Sequence, residues 1–135
     1  MTSLFDLCKK GDSKGALKLL KHPTQCKMDQ VNSYGSTALI VACYKGMKEV
    51  ALELLKHPTQ CKMDQVNNDD DTALILACDG ELSEVVLELL KHPTLCKMDQ
   101  IGHNSNTALI WACRKGMKEV VLELLKHPTQ CKMDQ

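Results

Sequence analysis

The residues of this chain that could do chemistry are its eight cysteines, its five histidines and the adjacent acids Asp69, Asp70 and Asp71. The cysteines fall in two registers, Cys8, Cys43, Cys78 and Cys113 in one and Cys26, Cys61, Cys96 and Cys131 in the other. Each member of the second register follows a histidine at i−4, giving the pairs His22/Cys26, His57/Cys61, His92/Cys96 and His127/Cys131. Zinc needs about four ligands converging at roughly 2.0–2.3 Å. Pairs of this kind, with no CxxC among them, form a row along the molecule, and a row does not enclose an ion. The expectation is no metal, with the histidines as polar loop or helix-end groups near free carbonyls.

Asp69, Asp70 and Asp71 lack the spaced ligands of a calcium loop and read as a solvated turn. No phosphate-cradling glycine loop, HExxH or nucleophile elbow occurs. The chain therefore reads as a non-enzyme that uses no cofactor.

Both cysteine registers advance by the period of the chain itself. Val31 to Gln65, Val66 to Gln100 and Ile101 to Gln135 are successive 35-residue copies, and a degenerate copy, Met1 to Gln30, precedes them. A unit of this length cannot bury its own apolar face and must stack on its neighbours. Equivalent positions in stacked helices lie roughly 8–10 Å apart, whereas a disulfide needs Cα atoms within about 7 Å. The cysteines thus read as small apolar fillers, which implies a reducing compartment.

Lysine plus arginine and aspartate plus glutamate number 17 each. A net charge of zero gives no attraction to nucleic acid or to an anionic membrane. Apolar runs such as Ala73 to Ala77 are too short to span a bilayer, and Met1 to Lys10 lacks the apolar stretch of a secretory signal. The expected setting is soluble and intracellular, in the cytoplasm.

One copy shows how the elements arise. Asn32 to Ser36 is a polar turn in which Gly35 is able to take positive φ. Thr37 stands where an N-cap belongs, ahead of a helix from Ala38 to about Tyr44 that is apolar nearly all round and so covered on most sides. Gly46 closes it, and a second helix is expected from about Lys48 to Lys56. Met47, Val50, Ala51, Leu54 and Leu55 form its core stripe, and Pro58 ends it. Cys61 to Asp64 alternates apolar and polar, as an extended return with one buried face would.

GlySerThrAlaLeuIleValAlaCys (Gly35 to Cys43), Gly46, GluValAla (Glu49 to Ala51) and Leu54-Leu55 resemble the ankyrin repeat, with Met63 and Asp64 where that family has its Val-Asn ending. The resemblance covers the whole chain and implies an all-α ankyrin-repeat solenoid of stacked helix-turn-helix units with extended turn tips. The copies are two residues longer than the roughly 33 usual for the family, the excess falling in His57 to Gln60. Ile40, Ile75 and Ile110 replace the family's histidine, and Ala38, Ala73 and Ala108 its proline, leaving packing to compensate. Leu52 and Glu53 exchange the usual polarity.

The whole chain, 1–135, reads as a single domain, with 1–30 as an N-terminal capping repeat and 31–65, 66–100 and 101–135 as full repeats. Asp6 replaces Val41, and Asp12 to Gly15 replace Met47 to Val50, as a capping unit requires. The last copy keeps an internal copy's apolar residues. Three readings of that end stay open: a fragment of a longer array, an engineered array of modules, or self-association of a homo-oligomer through Met117, Val120, Val121 and Leu124.

Differences between copies cluster in the turns and first helices. In ankyrin arrays these line a concave surface that binds protein partners. The resemblance therefore implies partner-binding residues at Tyr34, Ser36, Tyr44, Asp69, Asp71, Asp79, Asn104, Asn106 and Arg114. Tyr44 and Arg114 are the strongest of them, since Tyr and Arg are enriched at hot spots. Trp111 matches Asp6 of the first copy, which favours packing on the third copy over a role as a binding anchor. The function expected is a non-catalytic protein-interaction scaffold, and the alternative is a structural or self-associating module, natural or designed.

Overall fold

A computed structural model describes residues 3–22 and 26–127, so Cys131 lies outside the described residues. Each copy folds as a pair of short antiparallel helices. They are α1 (Leu4–Lys10) and α2 (Ser13–Leu20), α3 (Ala38–Lys45) and α4 (Lys48–Leu54), α5 (Ala73–Asp79) and α6 (Ser83–Leu89), and α7 (Ala108–Arg114) and α8 (Lys118–Leu125). The first helices α1, α3, α5 and α7 stack in one layer, and α2, α4, α6 and α8 in a second. The fold is an all-helical ankyrin-type solenoid, with no strand among the described residues.

Local chemistry sets the helix ends. The hydroxyls of Thr37, Thr72 and Thr107 accept from the backbone N–H groups of Ile40, Ile75 and Ile110 at 3.2–3.3 Å. Each satisfies one of the orphan donors of a helix N-terminus. Gly46 ends α3 at φ 73°, and Gly116 takes φ 67° at the matching position. In the third copy that left-handed position falls to Glu81, at φ 57°.

The core runs continuously along the stack. Leu39, Ile40, Val50 and Leu54 recur as Leu74, Ile75, Val85 and Leu89, all essentially inaccessible. Ile40 and Ile75 fill the places of the family's hydrogen-bonding histidine and are buried. Cys8, Cys43, Cys61, Cys78 and Cys96 are buried free thiols, whereas Cys113 at the end of the stack is exposed. Burial raises the Cys8 thiol to about 11 and those of Cys43, Cys61 and Cys96 to about 12.

Two expectations about the backbone need correcting. The second helices end near Leu54, before Lys56. The return from Cys61 to Asp64 is a series of turns with Lys62 at φ 52°, and it is not extended. The apolar-polar alternation still sorts inside from outside, because Cys61 and Met63 are buried while Lys62 and Asp64 are exposed. A turn that places alternate side chains inward satisfies the same pattern as a strand.

The ends differ. In the first copy Asp6 and Asp12 are exposed, and the Asp12 carboxylate accepts from Gly15 N–H at 3.0 Å to start α2. In the last copy Val120 and Leu124 are fully buried and Met117 nearly so. Of the four residues expected at an open apolar face, these three are covered within the protein itself, while Val121 is half-buried. Leu122 and Leu125 carry the exposure instead, together with Cys113. Leu52 and Leu87, which match Leu122, are half-buried against the core.

Candidate functional site

The turn tips are built from asparagine. Asn32 Oδ1 accepts from the N–H groups of Tyr34 and Ser36, both at 2.9 Å. Asn67 Oδ1 accepts from Asp69 and Asp71 at 3.0 and 2.9 Å. Successive tips are then tied together. Asn68 donates through its backbone N–H to Tyr34 O at 2.9 Å and through Nδ2 to Ser33 O at 3.0 Å. Gln65 and Gln100 donate from Nε2 to the carbonyls of Gly35 and Asp70, each at 3.1 Å.

The third and fourth copies are joined differently. His103 donates its backbone N–H to Asp71 Oδ1 at 3.0 Å, and its Nδ1 lies 2.7 Å from Oδ2. Facing an acceptor-only carboxylate, that nitrogen carries the proton. The other ring nitrogen is 3.9 Å from Asp79 Oδ2, and Lys115 Nζ is 3.8 Å from Asp79 Oδ1. Trp111 lies against the His103 ring, tilted by 34° with centroids 5.5 Å apart, and Arg114 and Lys115 lie 5.9 and 5.8 Å from the indole centroid. Trp111 is half-buried, packed against the core and against His103, the residue that holds Asp71 of the third copy. Its Nε1 is buried without a hydrogen-bond partner.

Between the tips and the first helices runs a groove of 660 Å³. Its floor includes Ile40, Val41 and Leu76, with Phe5 and Lys9 at the first-copy end and His103 at the other. Of the nine residues expected at a partner surface, Tyr34, Ser36, Tyr44, Asp69, Asp71 and Asp79 line this groove. Asn104 and Arg114 are exposed beyond it.

Ser36, Asp71 and Asn106 are not exposed tips. They are 7%, 4% and 4% accessible, because the residue before each capping threonine turns under the tip. Tyr34 and Tyr44 are 69% and 73% accessible, which is unusual for such rings. Sequence reasoning missed His103, which matches Ser33 and Asn68 in the other copies. The substitution of Gly102-His103 for an asparagine-led pair was the available signal.

A family model described as ankyrin repeats (3 copies) matches residues 4–100 and 59–135. The chain belongs to the ankyrin repeat family. Ankyrin repeats are generally protein-interaction modules and generally not enzymes. No curated protein sequence matches the chain.

Among solved structures, the ankyrin repeat protein EF0377 superposes with a TM-score of 0.74 at 25% identity, covering 92% of this chain and 60% of that one. A chain in the complex of the predatory endopeptidase Bd0816 from Bdellovibrio bacteriovorus with immunity protein Bd3460 superposes with a TM-score of 0.76 at 21% identity. It covers 96% of this chain and 65% of that one. The ankyrin chain described here thus spans less than two thirds of either solved chain. Among its described residues no group of three or more His, Cys, Asp or Glu side chains could hold a metal ion. No described helix is long and apolar enough to cross a membrane.

Proposed function

We propose that this ankyrin array is a non-catalytic scaffold that binds a protein partner along its concave groove, within a single repeat domain whose first copy, 1–30, acts as the cap. The observation that carries this reading is the exposure of Tyr34 and Tyr44 at the margins of an apolar floor. Large aromatic rings standing in water beside a groove are what a partner desolvates with most gain. Arg114 and Asn104 extend the same surface toward the fourth copy. Quantitative pull-down separates this reading from its rivals. A partner retained by the wild-type chain is lost by Tyr34→Ala/Tyr44→Ala, is weakened by Arg114→Ala, and is kept by the outer-face variant Glu53→Ala. Equal retention by all four proteins rules the groove out.

A second reading is favoured at the end of the stack, where two copies of the chain would pair. Leu122 is 63% accessible there, beside a cleft of 450 Å³ lined by Ala112, Cys113, Met117 and Val121 among others. Asn106 Nδ2, buried in the same copy, has no hydrogen-bond partner. Light scattering over a concentration series decides this. Pairing raises the mass with concentration and Leu122→Lys abolishes the rise, whereas a constant monomer mass removes the idea.

A further inference from the structure

The groove changes its chemistry from copy to copy in a paired fashion. The second and third copies each contribute one residue from the turn tip and one from the end of the first helix. The second copy supplies Tyr34 and Tyr44, and the third supplies Asp69 and Asp79 at the matching positions. Both members of a pair thus change together, so the groove has an aromatic segment followed by an acidic one. Val41 floors the first and Leu76 the second, while Lys9 and Lys45 bound the first-copy end.

From this arrangement we infer that the partner is an extended peptide segment with one apolar and one basic side chain three residues apart; the inference rests on the groove reading above. The apolar side chain lies over Val41 between Tyr34 and Tyr44. The basic side chain lies between Asp69 and Asp79. Lys9 and Lys45 repel a second base at the first-copy end, which fixes the basic group on the fourth-copy side of the apolar one. Asp71, held by His103, adds negative charge beneath the basic group. Lys115 and His103 approach Asp79 only at 3.8 and 3.9 Å, which leaves its carboxylate able to take a closer cation.

The spacing follows from geometry. Neighbouring copies stack roughly 8–10 Å apart, and a chain in the extended polyproline II conformation advances about 3.1 Å per residue with three residues per turn, so side chains three residues apart share one face and reach adjacent segments. The groove runs from the first copy to the fourth and presents its aromatic and acidic segments one after the other. One extended chain fits.

The test is selection from a random linear peptide library on the immobilised full chain, with each pool counter-screened on Tyr34→Ala/Tyr44→Ala. Circular dichroism checks that every variant is folded. Groove-dependent peptides are expected to share an apolar residue and a Lys or Arg three positions away. Their affinity should fall at least ten-fold on Asp69→Asn/Asp79→Asn and stay unchanged on Asp70→Asn, an exposed acid outside the groove. Groove-dependent peptides that lack the pair, or that bind Asp69→Asn/Asp79→Asn equally well, overturn the partner chemistry and leave the groove standing. If no selected peptide is sensitive to Tyr34→Ala/Tyr44→Ala, the groove reading itself falls.

Discussion

His103 of the fourth copy grips Asp71 of the third through both its backbone N–H, at 3.0 Å, and its ring Nδ1, at 2.7 Å. The carboxylate is buried and the imidazole about one third accessible. A partly buried donor that loses its acceptor costs about 1–3 kcal/mol. Asp71→Ala is therefore expected to lower the stability measured by urea unfolding by about that amount. Asp69→Ala, at an exposed position, is expected to stay within about 0.5 kcal/mol. Because the contact joins two copies, amide exchange in Asp71→Ala should quicken most across Gly102 to Arg114. Equal effects from both substitutions would show the contact to be idle.

Glu81 occupies a left-handed backbone at φ 57°, where Gly11, Gly46 and Gly116 stand in the other copies at 77°, 73° and 67°. A side chain there costs about 1–2 kcal/mol, while the glycine's extra freedom in the unfolded chain returns about 0.4–1 kcal/mol. Glu81→Gly is thus expected to stabilise the protein by roughly 0.5–1 kcal/mol, read as a higher urea midpoint at unchanged slope. A lower midpoint would mean that the Glu81 side chain makes a compensating interaction.

The elements of the stack were legible in the sequence because they rest on local chemistry. Thr37, Thr72 and Thr107 cap helices as their position implies, and Gly46 ends one. The site was legible only in part. Tyr34 and Tyr44 stand exposed at the groove, but Ser36, Asp71 and Asn106 are buried beneath the tips. Variation between copies does not distinguish a solvated residue from one that is tuned to its neighbour. His103 escaped notice for a related reason: its partners, Asp71 and Asp79, are more than twenty residues away, and no period of the sequence links them. The return tract shows a third limit, since alternating burial at Cys61 and Met63 is compatible with a turn as well as with a strand.

Alkali should unfold this protein through its thiols. The unfolded cysteines lose their protons near 9.0, whereas burial holds Cys8 to about 11 and Cys43, Cys61 and Cys96 to about 12. Between these values the unfolded state binds fewer protons than the folded one, so stability falls as pH rises. The thiol contribution is fully present below pH 9 and is lost as pH climbs through about 12. The urea midpoint under reducing conditions should drop between pH 8 and pH 10.5, and the drop should be smaller in Cys43→Ala/Cys96→Ala. An identical drop in that variant would show that the buried thiols do not carry the effect.

Gly102 and Asp71 form a matched pair across the last interface. A Cβ added at Gly102 would collide with Asp71 Oδ1 and come within 2.9 Å of Ile75 Cδ1. The preceding interface has Ser36 and Asn67 at these two positions, a small residue facing a larger one. The backbone at Gly102 is extended, at φ −95°, so its glycine answers to space and not to a positive φ. Gly102→Asn alone should therefore destabilise by about 1–3 kcal/mol through overpacking. Asp71→Ser alone should cost as much as losing the His103 contact. Together they rebuild the arrangement of the second and third copies, so the double variant should be more stable than the sum of the single effects, with a coupling of roughly 0.5–3 kcal/mol. Strict additivity in urea unfolding would mean that the two positions do not meet, and that the glycine is there for another reason.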